Sequence, residues 1–268
     1  MTIRIAIPEA YTRLRDPGSS NEAETTTLTG AMSVFPTELR VGAINALIAW
    51  LKATHVFELL DGLWVLAAHD AQAARLNWVA RTFDLTAINA PTFTIDRGYT
   101  GDGSTSYLTT AFNPTTAPSP KFVLDSATVG VWSRTDYQVG ASAYDIGWND
   151  GAYATFASFS SAANVFRGAI NTNALADYGA NLSTEAHWTL TRTASALTQA
   201  FVNGAQHGTD NTGASVAIPN SNLRILSSDA ANFSPRQIAA AYIGSGLTAA
   251  NIADLHTGLQ NYMTAVGA

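Results

Sequence analysis

Carboxylates are the residues that could perform hydrolytic chemistry, and this sequence brings few of them together. A retaining glycosidase needs two carboxyl groups about 5 Å apart, one protonated and one ionised. No predicted strand carries two acidic residues at i, i+2 or i, i+4 that would point into one cleft. We therefore predict that the chain is not an enzyme, and catalysis by aspartates paired through the fold is the alternative. The glutamates are Glu9, Glu22, Glu24, Glu38, Glu58 and Glu185.

The histidines, serines and glycines show no spacing typical of a metal, nucleophile or phosphate site. No H-E-x-x-H or G-x-S-x-G motif occurs. Gly98, Gly101 and Gly103 precede an alternating run rather than a helix, which favours a turn over a phosphate-binding loop. The five histidines are separated from one another along the chain, and we expect each to be a surface or hydrogen-bonded residue: His55, His69, His187, His207 and His256.

Four aspartates in predicted loops could supply oxygen ligands to calcium: Asp96, Asp102, Asp145 and Asp150. Their spacing does not match an EF-hand, and loop aspartates usually serve turns. The sequence therefore predicts no cofactor, with a calcium ion as the alternative.

Aromatic side chains beside a turn are the stronger indication of binding. Sugar rings stack on exposed aromatic rings next to amide and carboxylate groups. Trp148 and Tyr153 flank the predicted turn that contains Asn149 and Asp150, and Tyr144 lies four residues before Trp148. We predict that these five residues form an exposed ligand-binding tip, while other aromatic residues such as Trp188 belong to the core.

A pair of alternating segments indicates the architecture that would position this tip. In residues 187–193, Trp188, Leu190 and Arg192 share one face, which is the two-residue period of a strand. Residues 197–202 alternate in the same way and end at Asn203-Gly204, a pair that adopts the positive φ angles of a tight hairpin turn.

This W-x-L-x-R-T and F-V-N-G pattern resembles the central hairpin of laminin G-like domains, which belong to the concanavalin A-like jelly rolls. Residues 101–108, 223–226, 237–244 and 247–255 are similar to the family's opening strand, later strands and closing segment, so the resemblance covers residues 90–268. It implies a mainly β fold: an antiparallel two-sheet jelly-roll sandwich with an N-terminal helical segment and a C-terminal helix.

A second resemblance concerns residues 63–70, 74–78 and 91–103, which look like a recurrent block in proteins of tailed bacteriophages and prophages. It implies a virion component, such as a tail or capsid-surface fibre or a decoration protein. Its partners would be other virion proteins and a host cell-surface glycan bound by the lectin-like jelly roll.

Composition excludes several other functions. The net charge is −6 and the 14 lysines and arginines are scattered, which argues against nucleic-acid binding. The chain has no cysteine and hence no disulfide framework. Its apolar runs fall far short of the about 20 residues of a membrane span, and no signal peptide is recognisable. We expect a soluble protein that is made in the host cytoplasm and assembled into the virion, without membrane insertion.

The pattern of residue types along the chain indicates three regions. Residues 1–35 are predicted to be an arm and linker that docks to a particle, with a loop over residues 16–27. Residues 36–89 are predicted to be a helical segment, with helices at 36–52 and 67–78 around a strand at 63–66. Residues 90–268 would form the jelly roll. Its predicted elements include strands at 129–134, 144–148, 153–159 and 165–170 and a closing helix at 248–262.

Taken together, the sequence predicts a non-enzymatic bacteriophage virion protein that displays a jelly roll for contact with a host glycan or a virion protein. The alternatives are a phage-encoded polysaccharide-degrading enzyme, a soluble glycan-binding lectin, and a purely structural sandwich. A homo-oligomer stays open as well, although no heptad repeat imposes one.

Overall fold

The structure is a computed structural model that describes residues 20–136, 143–150, 154–160, 165–180, 183, 185–228 and 231–268, and only the backbone of residues 154–160. These residues form three layers, namely a layer of helices, an eight-stranded sheet and a seven-stranded sheet, and all described strand pairs between named strands are antiparallel. The predicted fold class, an antiparallel β-sandwich with N-terminal helices and a C-terminal helix, is confirmed.

The helical layer contains α1 (Ala23–Gly30), α2 (Glu38–Ala53) and α3 (Ala249–Val266). Helix α2 begins where the Thr37 side chain accepts a hydrogen bond from the Arg40 backbone N–H. Its apolar residues from Ala43 to Leu51 other than Trp50 and the half-buried Ala49 are buried, whereas Leu39 in its first turn is exposed. Helix α3 begins with a capping box between Thr248 and Asn251 and ends at Gly267, whose φ of 72° is left-handed. The helices predicted at 36–52 and 248–262 are therefore present.

The eight-stranded sheet is built around β15 (Gln237–Gly244), which has β6 (Ala127–Ser133) on one side and both β1 (Leu60–Val65) and β4 (Gly98–Thr100) on the other. In spatial order its strands are β13 (Ala205–Asn211), β12 (Leu197–Val202), β11 (His187–Ala194), β6 (Ala127–Ser133), β15 (Gln237–Gly244), β4 (Gly98–Thr100) and β3 (Thr92–Thr94), with β1 (Leu60–Val65) also paired to β15.

The seven-stranded sheet faces it across the main core. In spatial order its strands are β10 (Ala176–Ala180), β9 (Val165–Thr172), β8 (Ala154–Ser160), β7 (Tyr144–Asn149), β14 (Arg224–Ile225), β5 (Tyr107–Thr109) and β2 (Thr86–Ile88). Strands β7, β14 and β5 are neighbours although they are far apart in the sequence, because β14 pairs with both of the others.

Two hydrophobic cores hold the layers together. Between the sheets, Trp148 packs against Phe122 with ring centroids 4.8 Å apart, and Trp188 packs against Phe166 at 5.0 Å. Between the helices and the eight-stranded sheet, the second core includes Leu47, Leu255, Tyr242 and Tyr262. The eight-stranded sheet is therefore buried on both faces along β1 and β15.

The hairpin predicted from the alternating segments is present. Strand β11 pairs with β12 in the register Trp188 opposite Val202, and Asn203 and Gly204 turn the chain into β13 with φ angles of 49° and 83°. Trp188 is buried between the sheets, as its position in the pattern predicted.

Three predictions about the first 90 residues need correction. Part of the predicted loop at 16–27 is helical, because α1 begins at Ala23. The helix predicted at 67–78 contains only a short 3₁₀ turn, Ala73–Arg75. Strands β1 and β2 lie before residue 90 yet belong to the two sheets, so the sandwich begins at Leu60.

The strand predicted at 63–66 is present within β1, but its membership of the eight-stranded sheet was not predicted. Trp64 faces the core between the sheets, whereas Leu63 and Val65 face the helices. A strand covered on both sides has no polar alternation that would show which layer each face contacts.

Candidate ligand-binding site

The outer face of the seven-stranded sheet carries a row of polar side chains. In β5, Leu108 points into the core, so Tyr107 and Thr109 point outward. In β14, Ile225 points inward and Arg224 outward. Arg224 lies directly between Thr109 of β5 and Gly147 of β7, and the glycine adds no side chain that would fill the space beside it.

A pocket of about 260 Å³ lies on this face. Its walls come from β5, the end of β7, β14 and the segments on either side of β14. Hydroxyl, amide and guanidinium groups dominate the lining: Tyr107, Thr109, Asn149, Ser221, Asn222, Arg224 and Ser228. Such groups form hydrogen bonds with a polar ligand and fix its orientation.

An aromatic pair lies along one side of the pocket. The guanidinium carbon of Arg224 lies 4.5 Å from the centre of the Tyr107 ring, which is cation–π geometry. The other neighbour of Tyr107 is Phe233, with ring centroids 6.1 Å apart. These contacts hold both the arginine and the tyrosine in place on the sheet.

Two hydroxyls of the pocket have no hydrogen-bond partner among the residues that the structure describes. Ser221 Oγ and Ser228 Oγ are both buried, and Ser228 as a whole is 2% exposed. A buried polar atom without a partner costs about 1–3 kcal/mol, so native structures seldom leave one unsatisfied. The two hydroxyls are therefore available to hydrogen-bond a molecule that enters the pocket.

Hydrogen bonds from polar side chains fix the segment that precedes β14. The Asp150 carboxylate accepts a hydrogen bond from the Asn220 backbone N–H at 2.9 Å. The Asn220 side-chain oxygen in turn accepts hydrogen bonds from Asn113 Nδ2 at 2.8 Å and Thr115 Oγ1 at 2.7 Å. Because Ser221 and Asn222 follow Asn220 directly, these bonds place two pocket residues.

The predicted binding tip is only partly brought together. Asn149 lines the pocket and Asp150 holds its rim. Tyr144 lies at the start of β7, where it forms a β-bridge with Phe233. Tyr153 lies outside the described residues.

The expected exposure of Trp148 is wrong. Its side chain is fully buried and packs against Phe112 and Phe122, because strand alternation turns it into the core when Asn149 points outward. The position of Trp148 next to a turn does not show whether its indole ring points into the core or toward the surface.

The four aspartates considered for calcium are held by protein groups. Asp102 Oδ1 accepts hydrogen bonds from the backbone N–H groups of Ser104, Thr105 and Ser106. Burial raises the pKa of Asp102, but these bonds outweigh it and hold the pKa far below its usual range. The carboxylate therefore stabilises its own turn.

The remaining aspartates are also engaged. Asp96 pairs with Arg40 at 2.6 Å, and Asp150 holds the pocket rim. The prediction that Asp145 lies in a loop is wrong. It lies in β7, where it is buried and paired with Arg236 at 2.9 Å. Among the residues that the structure describes, no group of three or more histidine, cysteine or acidic side chains could hold a metal ion.

Two histidines that are far apart in the sequence are in contact in the structure. His187 Nδ1 lies 3.1 Å from His256 Nδ1, and His187 Nε2 lies 2.8 Å from the Tyr242 hydroxyl. Both imidazoles stack with Trp132. Burial, followed by the charge of His256, lowers the pKa of His187 to about 3, and burial also lowers the pKa of His256. This neutral cluster joins α3 to the eight-stranded sheet.

Sequence reasoning missed most of the pocket. Alternation around Leu108 and Ile225 could have placed Tyr107, Thr109 and Arg224 on an outer face. The pairing of β5, β14 and β7 is what makes them neighbours, and no local signal in the sequence specifies it.

Comparison with known proteins supports the fold. No protein-family model matches the chain, and no curated protein sequence is significantly similar to it. A sialidase from Trypanosoma rangeli is 13% identical, with a TM-score of 0.57, over 82% of this chain and 39% of that chain. The same sialidase in complex with sialic acid is 12% identical, with a TM-score of 0.56, over 81% of this chain and 38% of that chain. The botulinum neurotoxin serotype D binding domain is 11% identical, with a TM-score of 0.55, over 76% and 51% of the two chains.

These neighbours are all larger than this protein, which spans about two fifths of the sialidase chains and half of the toxin chain. The likeness establishes the β-sandwich fold. It also corrects the expectation that the chain is not an enzyme, because sialidases contain this fold and the fold is therefore compatible with enzymatic activity. No helix of the described chain is long and apolar enough to cross a membrane.

Proposed function

We propose that this chain is a glycan-binding β-sandwich whose ligand site is the polar pocket on the outer face of the seven-stranded sheet. Two buried hydroxyls, Ser221 Oγ and Ser228 Oγ, lack a hydrogen-bond partner in the described part of the chain, and this observation carries the proposal. A sugar offers several hydroxyls that donate and accept hydrogen bonds, and the lining of the pocket offers complementary groups. The three described helices cover the eight-stranded sheet, which leaves this pocket accessible.

A glycan array with the purified protein tests this function. The Ser228→Ala and Asn222→Ala variants remove one hydroxyl and one amide from the pocket, and we expect each to weaken binding of the array hits several-fold. Asn173→Ala, at an exposed position between β9 and β10, is the matched control and should bind like the wild type. Binding that persists unchanged in both pocket variants would place the glycan elsewhere and refute this site.

We propose further that the sandwich is displayed on a bacteriophage particle, where it contacts a host glycan or another virion protein. The resemblance of residues 63–103 to proteins of tailed phages and prophages supports this role. The docking segment is proposed to precede α1, because Thr25, Leu28 and Thr29 of that helix are buried in the helical layer.

Mass spectrometry of particles purified from a lysate of the source tests the virion role. A high copy number would indicate a capsid or tail-tube surface protein, and a low copy number a tail-tip or fibre component. Absence of the chain from the particles would refute the virion role and leave a glycan-binding protein outside the particle.

A glycan-degrading activity is the second candidate function, and the likeness to sialidases favours it. Release of sialic acid from 3′-sialyllactose, and of reducing ends from a panel of bacterial polysaccharides, would reveal such an activity. If such an activity disappears on substitution of one described aspartate, for example in Asp150→Asn, the chain hydrolyses the glycan in addition to binding it.

A further inference from the structure

A buried ion pair lies where the chain leaves β14 and enters β15. Asp145 and Arg236 are both 0% exposed, and Arg236 Nη1 lies 3.1 Å and 2.9 Å from the two carboxylate oxygens of Asp145. Ser234 Oγ donates a hydrogen bond to the same carboxylate at 2.6 Å. Asp145 belongs to β7 and Arg236 directly precedes β15, so the pair connects the two sheets.

Both ends of the loop at residues 226–236 are fixed on Asp145. At one end, the Leu226 backbone N–H donates to the Asp145 carbonyl at 2.8 Å. At the other end, Ser234 and Arg236 bind its carboxylate, and the Ser234 backbone N–H donates to the Leu226 carbonyl at 2.8 Å. Leu226 itself has a φ of 69°, a left-handed conformation that leucine adopts only where its surroundings enforce it.

The described part of this loop supplies the pocket. Ser228, whose hydroxyl has no partner among the described residues, lies two residues after Leu226. Phe233, which packs against Tyr107, directly precedes Ser234. A change in the position of the loop would therefore displace one wall of the pocket and the neighbour of its tyrosine.

Stability alone does not account for such a pair. Removing two charges from water offsets most of their attraction, and well-packed apolar residues of similar shape often replace a buried ion pair without loss of stability. We infer that Asp145 and Arg236 are positioning residues of the ligand site, which hold the described residues of this loop, 226–228 and 231–236, in the arrangement that places Ser228 and Phe233 at the pocket.

The test is the double variant Asp145→Leu with Arg236→Met. Leucine has the branching of aspartate, and methionine is an unbranched, flexible side chain that can fill the space of the arginine stem, so the variant should fold. Its Tm should be lowered by the loss of the acceptor of Ser234 Oγ. We expect the affinity for the wild-type array hits to fall about tenfold or more, and amide hydrogen exchange in residues 226–236 to become faster.

The matched control makes the same two substitutions at the exposed pair Asp177 and Arg167, which joins β10 to β9. It should change neither the affinity nor the exchange of loop 226–236. If the double variant of the buried pair does not fold, Ser234→Ala removes one bond to Asp145 and leaves the ion pair, and it should show the same two effects to a smaller extent.

The inference rests on the proposed function, and the outcomes separate the two. A folded double variant with wild-type affinity and wild-type exchange would overturn the positioning role and leave glycan binding intact. If the wild-type protein binds no glycan, the proposed function fails. In that case the positioning role is tested only by amide hydrogen exchange in residues 226–236. Exchange in the double variant that equals that of the wild type would overturn the positioning role.

Discussion

The histidine cluster makes the stability of this protein depend on pH. His187 is buried against Tyr242 and His256, and its pKa is lowered from 6.5 to about 3. In the unfolded chain the imidazole takes up a proton below pH 6.5, whereas in the folded chain it stays neutral down to about pH 3. The unfolded state therefore binds more protons in this window, so the free energy of unfolding falls as the pH falls.

We predict that the wild type loses about 2 kcal/mol at pH 5 relative to pH 7.5 through His187 alone. Urea unfolding at several pH values measures this slope, and His187→Gln should flatten it even if the variant is less stable at every pH. His55→Asn changes an exposed histidine and is the control. Parallel pH profiles for wild type and His187→Gln would show that His187 is not the titrating group.

Arg192 is a buried cation that is bound by backbone carbonyls. Its Nε donates to the Ile170 carbonyl at 3.1 Å, and its terminal nitrogens donate to the carbonyls of Ser195 at 2.6 Å and Gly213 at 3.2 Å. The guanidinium thus joins β9 to the turn after β11 and to the segment after β13. This role explains why an arginine shares a face with Trp188 and Leu190.

We predict that Arg192→Met destabilises the fold by about 3 kcal/mol, because the carbonyls of Ile170, Ser195 and Gly213 lose their donor at once. The midpoint of urea unfolding measures the effect. Arg167→Met removes an exposed arginine paired with Asp177 and should cost less than about 1 kcal/mol. Equal losses in the two variants would contradict a structural role for the buried guanidinium.

At the scale of elements, the contact between α2 and α3 depends on a glycine. A Cβ atom at Gly258 of α3 would lie 2.8 Å from Trp50 Cδ1 and 2.9 Å from Leu47 Cδ1 of α2. Trp50 is fixed at this contact because its Nε1 donates to the Asp254 carbonyl at 2.8 Å. The helices can therefore approach this closely only when position 258 has no side chain.

We predict that Gly258→Ala lowers stability by about 1–3 kcal/mol through this overpacking, although alanine favours helices. The matched control is Gly42→Ala within α2, where no atom lies within 4 Å of the added methyl group. That change should raise stability by about 0.5–1 kcal/mol. Thermal unfolding of both variants gives the comparison, and a stabilised Gly258→Ala would show that α3 can shift away from α2 without cost.

The elements differ in how far their sequences specify them. The β11–β13 region could be predicted because alternation and Asn203-Gly204 are local signals, and α3 because its cap and apolar stripe are local as well. The strand at 63–66 was predicted and lies within β1, but its place between two layers could not be predicted since β1 is covered on both faces. Trp148 was assigned to the surface because a nearby turn does not reveal side-chain direction. The pocket depends on pairing between strands more than 70 residues apart, such as β7 and β14, which no single segment encodes.

At the scale of the whole molecule, the helical layer and the sandwich share the eight-stranded sheet. Strand β1 pairs with β15 from Leu60 to Val65, and β2 extends the other sheet beside β5. Tyr242 of β15 faces the helices, while Ile243 beside it faces the other sheet. One strand thus contributes to both cores, so we expect the layers to fold together rather than as separate domains.

This sharing predicts that residues 90–268 alone do not form a stable jelly roll. The fragment lacks β1 and β2, and it exposes the apolar side of β15 and α3 that Leu47, Ile48 and Leu51 cover in the full chain. We expect the purified fragment to aggregate, or to bind the dye ANS and give a poorly dispersed NMR spectrum. Full-length protein is the reference, and addition of a separately produced fragment of residues 20–89 should restore part of the native spectrum. A fragment 90–268 that gives a dispersed spectrum and a cooperative unfolding transition by itself would instead make the first 89 residues an accessory segment, as the sequence alone suggested.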